Sequence, residues 1–195
     1  MRIVSIVGAR PQFVKLKPVA EALGDRYVEH LVVRTGRHYD ADMSDVFFDG
    51  LSLPSVHTNL DVGSGTHGKQ TATTLRRVET VLIETQPDWV VVYGDTNATL
   101  AGAIAAVKLD LRTAHVEAGL RSWNRSMPEE INRVLTDHAV DLLFAPTELS
   151  LANLRAEGLG DRTHMVGEVM ADLLLQVKES PPTMEIPGLA AIGNG

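Results

Sequence analysis

Three carboxylates stand where an open α/β sheet would present chemistry. Asp95 follows the apolar run Trp89–Tyr93, Glu117 closes the run Thr113–Val116, and Glu129 opens a helix just after Pro128. Acids at the carboxyl ends of parallel strands face the crevice in which such sheets bind ligands. Acids that converge push one another's pKa values apart, so that one serves as base and another as acid. Structural roles compete with that reading. Asp95 with Thr96 could cap a helix, and Glu129 with Glu130 could complement a helix N-terminus. Glu117, followed by Ala118-Gly119, is the hardest of the three to explain as structure. Holding a divalent cation would require two of the three to converge tightly, and no metal is expected.

Cations stand where the first strand turns into the first helix. That turn, Gly8-Ala9-Arg10-Pro11, offers helix N-terminal N–H groups to a phosphate. Arg10 adds a bidentate anion contact, and Lys15 lies one helical turn further on. Alternatively, Gly8 and Pro11 only make the turn and both cations are solvated. The turn is not a G-x-G-x-x-G fingerprint, so no nicotinamide dinucleotide is indicated. The polar loop Gly63-Ser64-Gly65-Thr66-His67 reads either as a mobile cover for a substrate or as a connector. His38, in Thr35-Gly36-Arg37-His38-Tyr39-Asp40, follows the second strand on a ligand-facing loop and is a candidate substrate contact. His115 falls inside a strand and reads as a hydrogen-bonded core residue, and His138 sits late in a helix, where it suits the dipole. No His pair has zinc-ligand spacing with a third ligand. Ser122 and Ser126 lack the G-x-S-x-G context of a serine hydrolase.

The elements that must position these residues are legible as alternation. Short β-branched runs at Arg2–Val7, Glu29–Arg34, Val56–Asn59, Trp89–Tyr93, Thr113–Val116, Leu142–Ala145 and His164–Val166 alternate with helix-length segments. Those segments are Gln12–Leu23, Ala41–Phe48, Gly68–Glu84, Ala98–Leu109, Pro128–Val140, Glu148–Glu157 and Val169–Lys178. The pattern predicts a Rossmann-like, doubly wound parallel sheet covered on both faces. Thr147 reads as an N-cap and Gly158 as the stop of the helix between them. Residues 1–178 read as one domain, and 179–195, rich in Pro and Gly, as a linker or tail.

Composition closes off other classes. With 195 residues, 44% hydrophobic and 22% charged, the chain can bury a full core. Its net charge of −7 argues against nucleic-acid binding. There are no cysteines, which removes disulfides, thiolate metal sites and cysteine nucleophiles. The first apolar run is too short for a signal segment or membrane span, so a cytoplasmic protein without membrane partners is expected.

Several blocks also carry a resemblance. GARPQFVKLKPV, TGRHYDADM, VVYGDTNATLAGAIAA, HVEAGLRS, RSMPEEINRVLTDH and FAPTELSLANL resemble successive blocks of the non-hydrolysing UDP-N-acetylglucosamine 2-epimerases, in order, over roughly residues 1–178. The resemblance implies one half of a two-domain fold of the glycosyltransferase-B type, with the active site in the cleft between the halves. It implies inversion at C2 of the sugar, interconverting UDP-N-acetylglucosamine and UDP-N-acetylmannosamine by elimination and re-addition of UDP, with no cofactor. By position Asp95, Glu117 and Glu129 match the family's catalytic acids, and Arg10 and Lys15 its nucleotide-sugar contacts. The family's second domain, with its catalytic His in a T-x-H-R type block, has no match here and is expected to be absent from this chain. Its partner would be a separate C-terminal domain or a second copy. The alternatives are a catalytically silent nucleotide-sugar-binding or interaction module and, further off, a glycosyltransferase of similar architecture.

Overall fold

The computed structural model describes residues 1–36 and 53–179. Seven strands form one sheet in the order β3-β2-β1-β4-β5-β6-β7, every neighbouring pair parallel. They are β1 (Arg2–Val7), β2 (Glu29–Arg34), β3 (Val56–Asn59), β4 (Trp89–Tyr93), β5 (Thr113–Val116), β6 (Leu142–Ala145) and β7 (Thr163–Met165). Among the described residues six α-helices accompany them: α1 (Arg10–Gly24), α2 (His67–Thr85), α3 (Asn97–Lys108), α4 (Pro128–Ala139), α5 (Glu148–Ala156) and α6 (Val169–Glu179). The strand order reverses between β1 and β4, which makes that junction the topological switch point. The fold is therefore the Rossmann-like α/β arrangement expected from the alternation.

Period-two alternation builds a core on each face. In β1, Val4 and Ile6 join a cluster with Val78 and Leu82 of α2, Ala103 and Ala106 of α3, and Leu151 and Leu154 of α5. Ile3 and Val7 point the other way, into a cluster with Phe13 and Leu16 of α1, Val32, Tyr93 and Val116. Burial on both faces explains why these strands read as unbroken apolar runs. After β7 the chain returns to the α1 side, where α6 packs against α1.

The last strand begins at Thr163, one residue before the expected His164, and its register against β6 runs Leu143 to Thr163 through Ala145 to Met165. Helix α1 begins at Arg10, two residues before the expected Gln12, with Pro11 in its first turn. Thr147 caps α5 as expected, its hydroxyl accepting from Ser150 N at 3.1 Å. Gly158 follows that helix in the left-handed region at φ +79°. The expected helix Ala41–Phe48 and most of the tail lie outside the described residues. No helix among the described residues is long and apolar enough to cross a membrane.

Candidate active site

One glutamine stitches the two turns that flank the switch point. Gln12 Oε1 accepts from Gly8 N at 2.6 Å and Ala9 N at 3.0 Å. Its Nε2 donates to Tyr93 O at 2.5 Å and Thr99 Oγ1 at 3.0 Å. The β1–α1 turn is thus capped from inside, and two N–H groups expected to be available for a phosphate are engaged by this side chain. Gly8 is needed there for close approach, since a Cβ would stand 2.6 Å from Thr35 Oγ1 and 2.8 Å from Ala98 Cβ. Across the junction Thr96, not Asp95, is the N-cap of α3, in a capping box with Thr99. Asp95 is thereby released from the capping role that competed with a chemical one.

The charged residues gather around the β4–α3 turn. Lys15 Nζ donates to Glu117 Oε2 in an ion pair whose side chains are 8% and 15% exposed. That pair sits over Gly94, where a Cβ would stand 3.3 Å from Glu117 Oε2 and 3.6 Å from Lys15 Nζ. Glu117 itself holds φ +74°, an unusual conformation for a residue with a side chain, of the kind that clusters at functional sites. Asp95 Oδ2 accepts from Arg133 Nη2 at 2.5 Å, and Asp95 O accepts from Asn132 Nδ2 at 2.9 Å. Glu129 lines an adjoining cleft of about 310 Å³ with Gly8, Thr35, Gln70, Asn97 and Asn132. Arg10 is exposed in the first turn of α1. So Lys15, Glu117 and the turn bearing Asp95 come together, with Glu129 on the wall of the same carboxyl edge. His38 lies outside the described residues.

Helix α4 supplies most of what holds this edge. Glu130, beside Glu129, accepts from Ser122 N and Trp123 N at 2.9 and 3.0 Å. Burial alone would raise its carboxyl pKa, yet these bonds and the Arg133 charge bring it below the usual value. Asp137, two turns further along the same face, is completely buried. It accepts from His115 Nδ1 at 2.6 Å through Oδ1, and from Gly119 N at 3.0 Å and Arg121 Nη1 at 2.8 Å through Oδ2. Burial pushes its pKa up, but the bonds and charges of His115 and Arg121 pull it further down. Arg121 also grips Glu157 with two bonds of 2.7 Å. His115 is the buried, hydrogen-bonded residue that its strand position implied. Its partner Asp137, the residues Arg121 and Glu157 linked to that carboxylate, and Gln12, Asn132 and Arg133 were not singled out from sequence. The spacing of Glu129, Arg133 and Asp137 at four-residue intervals on one helix was the available signal.

A doubly wound sheet with ion-paired acids over its switch point defines a Rossmann-like α/β protein with a charged crevice at its carboxyl edge. The chain belongs to the UDP-N-acetylglucosamine 2-epimerase family, whose model matches residues 21–188. It is 54% identical over 175 residues to a UDP-N-acetylglucosamine 2-epimerase homolog of Methanococcus maripaludis, covering 90% of this chain and 49% of that relative. It is 48% identical over 179 residues to the UDP-2,3-diacetamido-2,3-dideoxy-D-glucuronate 2-epimerase of Pseudomonas aeruginosa, covering 90% of this chain and 51% of that one. Among solved structures it matches the UDP-GlcNAc 2-epimerase of Methanocaldococcus jannaschii in complex with UDP-GlcNAc and UDP. There the TM-score is 0.87 and the identity 48%, over 90% of this chain and 49% of that chain. The chain thus spans about half the length of the relatives it matches.

Proposed function

We propose that this chain forms the acid-bearing wall of a UDP-N-acetylglucosamine 2-epimerase, inverting C2 to give UDP-N-acetylmannosamine. The observation that carries the reading is the Lys15–Glu117 pair seated against the Gly94–Asp95 turn at the switch point. C2 of the sugar carries a weakly acidic proton, so a positioned base must take it as the C1–O bond breaks. The electrons of the C2–H bond become the C1=C2 double bond, and those of the C1–O bond leave with UDP. Re-addition reverses this: a UDP oxygen attacks C1, and an acid returns a proton to the opposite face of C2. Asp95, Glu117 and Glu129 supply base and acid, while Arg10 and Lys15 contact the nucleotide sugar. In this reading the opposite wall, including the grip on the uridine diphosphate, comes from the further length that the relatives have. It would be joined in the same protein or supplied as a separate partner. Orientation by both walls supplies much of such catalysis.

The test is incubation with UDP-N-acetylglucosamine in D₂O, following the C2 proton by NMR with Glu117→Gln as control. Deuterium at C2 or formation of UDP-N-acetylmannosamine, lost in the control, supports the proposal. Absence of both at high protein concentration leaves an epimerase wall without its opposite half and a catalytically silent module. The same assay on the chain together with that half then separates them: exchange restored supports the proposal, and exchange still absent overturns it.

A further inference from the structure

We infer that Asp137 and His115 together are positioning residues that fix the Asp95 and Glu117 turns from beneath; the functional part of this inference rests on the proposed epimerisation. His115 Nε2 donates to Gly94 O at 2.6 Å, and its Nδ1 meets Asp137 Oδ1 at the same distance. A carbonyl and an ionised carboxylate only accept, so the ring donates from both nitrogens, as a charge-assisted link. The other oxygen of Asp137 takes the amide of Gly119, two residues after Glu117. A single side chain on α4 therefore grips the β4–α3 turn through the imidazole and the β5–α4 loop directly. Both turns depend on left-handed backbone, with φ of +62° at Gly94, +74° at Glu117 and +83° at Gly119. Such conformations persist only where the surroundings over-determine them.

The surroundings at Gly119 are correspondingly tight. Asn153 Nδ2 donates to Gly119 O at 3.0 Å, and a Cβ on Gly119 would lie 2.5 Å from Ser150 O. Arg121 closes the cluster against Glu157, which His138 Nε2 also meets at 3.1 Å. The same helix α4 reaches Asp95 from above through Asn132 and Arg133. The turn carrying Asp95 is held from two sides, with neither His115 nor Asp137 lining the cleft.

Two variants separate positioning from mere stability. His115→Asn keeps a donor for Asp137 but is too short to reach Gly94 O. Asp137→Asn removes a buried charge and lowers stability, yet its amide can donate to His115 Nδ1 while His115 Nε2–H still serves Gly94. Amide hydrogen exchange of Gly94, which donates to Val116 O, is compared with that of Val4 and Ile6 in the adjoining strand β1. In His115→Asn, Gly94 exchange is expected to accelerate about tenfold more than Val4 and Ile6; in Asp137→Asn all three should move together. Should His115→Asn not fold, Asp137→Ser, which withdraws the carboxylate, is read the same way at Gly94 and Gly119. In an epimerising preparation His115→Asn is expected to lower kcat about tenfold with KM within threefold, while Asp137→Asn stays near the parent. The inference is overturned if Gly94 keeps step with β1 in the disruptive variant, or outruns it equally in Asp137→Asn. Exchange is read without turnover, so a parent that does not epimerise would sink the proposed function and leave this inference to be decided by exchange.

Discussion

The crevice and the cluster beneath it use the same residue types in opposite ways. Above, Glu117 and Asp95 each meet a cation through one carboxylate oxygen, with side chains 15% and 31% exposed. Below, both oxygens of Asp137 are committed to three residues and nothing of its side chain reaches solvent. A partly hydrated carboxylate with spare lone pairs can exchange partners or accept a proton. A buried one with both oxygens committed can only hold geometry, and removing it leaves buried donors unsatisfied. On the proposed function, the contrast puts turnover in the upper layer and rigidity in the lower one, although the two layers are joined at Gly94.

The largest expected effect breaks the contrast most directly. Glu117→Gln should lower C2 exchange by about 10²–10⁴-fold, the span of a lost general acid–base, as followed by NMR in D₂O. Asp137→Ala should cost about 3–5 kcal/mol in urea unfolding, as for one partner of a buried ion pair. If Glu117→Gln destabilised the chain as much as Asp137→Ala, the division between the layers would fail. Gly119→Ala comes next. Its Cβ would meet Ser150 O at 2.5 Å on a backbone at φ +83°, so about 2–4 kcal/mol should be lost.

Acid sharpens the comparison with a smaller effect. Bonds and charge from Arg121 hold Glu157 below its usual value of 4.5 against some desolvation. Asp137 and Glu130 are also depressed, from 3.8 and 4.5, their bonds and neighbouring charges outweighing burial. A carboxylate depressed in the folded state stabilises fully above its unfolded pKa and loses that contribution as pH falls through the folded one. Urea midpoints should therefore be flat on these groups' account above about pH 5 and fall increasingly below about pH 4. Glu157→Gln should flatten the acid limb. An unchanged limb would mean the lower layer is not what acid dissolves.

The two layers also differ in how far they could be read from sequence. The central strands β1 and β4 follow from apolar, β-branched runs, because parallel strands buried on both faces need such sequence. Edge strand β3, Val56-His57-Thr58-Asn59, has no buried residue and is marked more weakly. Strand β7 was displaced by one residue for a physical reason: His164 and Met165 are exposed, so hydropathy does not mark it. Asp95, Glu117 and Glu129 were visible because they close strands or open a helix. Asp137 was not, since in Arg133-Val134-Leu135-Thr136-Asp137-His138 it looks like an ordinary helix-surface acid. What buries it is a histidine 22 positions away on β5. The left-handed backbone of Gly119 likewise sits against Ser150 and Leu154 of α5, contacts that no local pattern encodes.

The smallest effects test whether location, rather than energy, decides function. Thr96 and Thr147 are both N-cap threonines whose hydroxyls accept from the amide three residues on, at 3.4 and 3.1 Å. Replacing either by Ala should cost about 1 kcal/mol, visible as a small shift of the thermal midpoint. Thr96, however, also receives Gln12 Nε2 at 3.1 Å and follows Asp95 directly, whereas Thr147 caps the helix after β6 with its hydroxyl on Ser150. Thr96→Ala should therefore lower C2 exchange beyond its loss of stability, and Thr147→Ala should leave it unchanged. Equal losses of exchange at equal losses of stability would show that the crevice responds to the fold as a whole, and that the stitch across the switch point has no separate role.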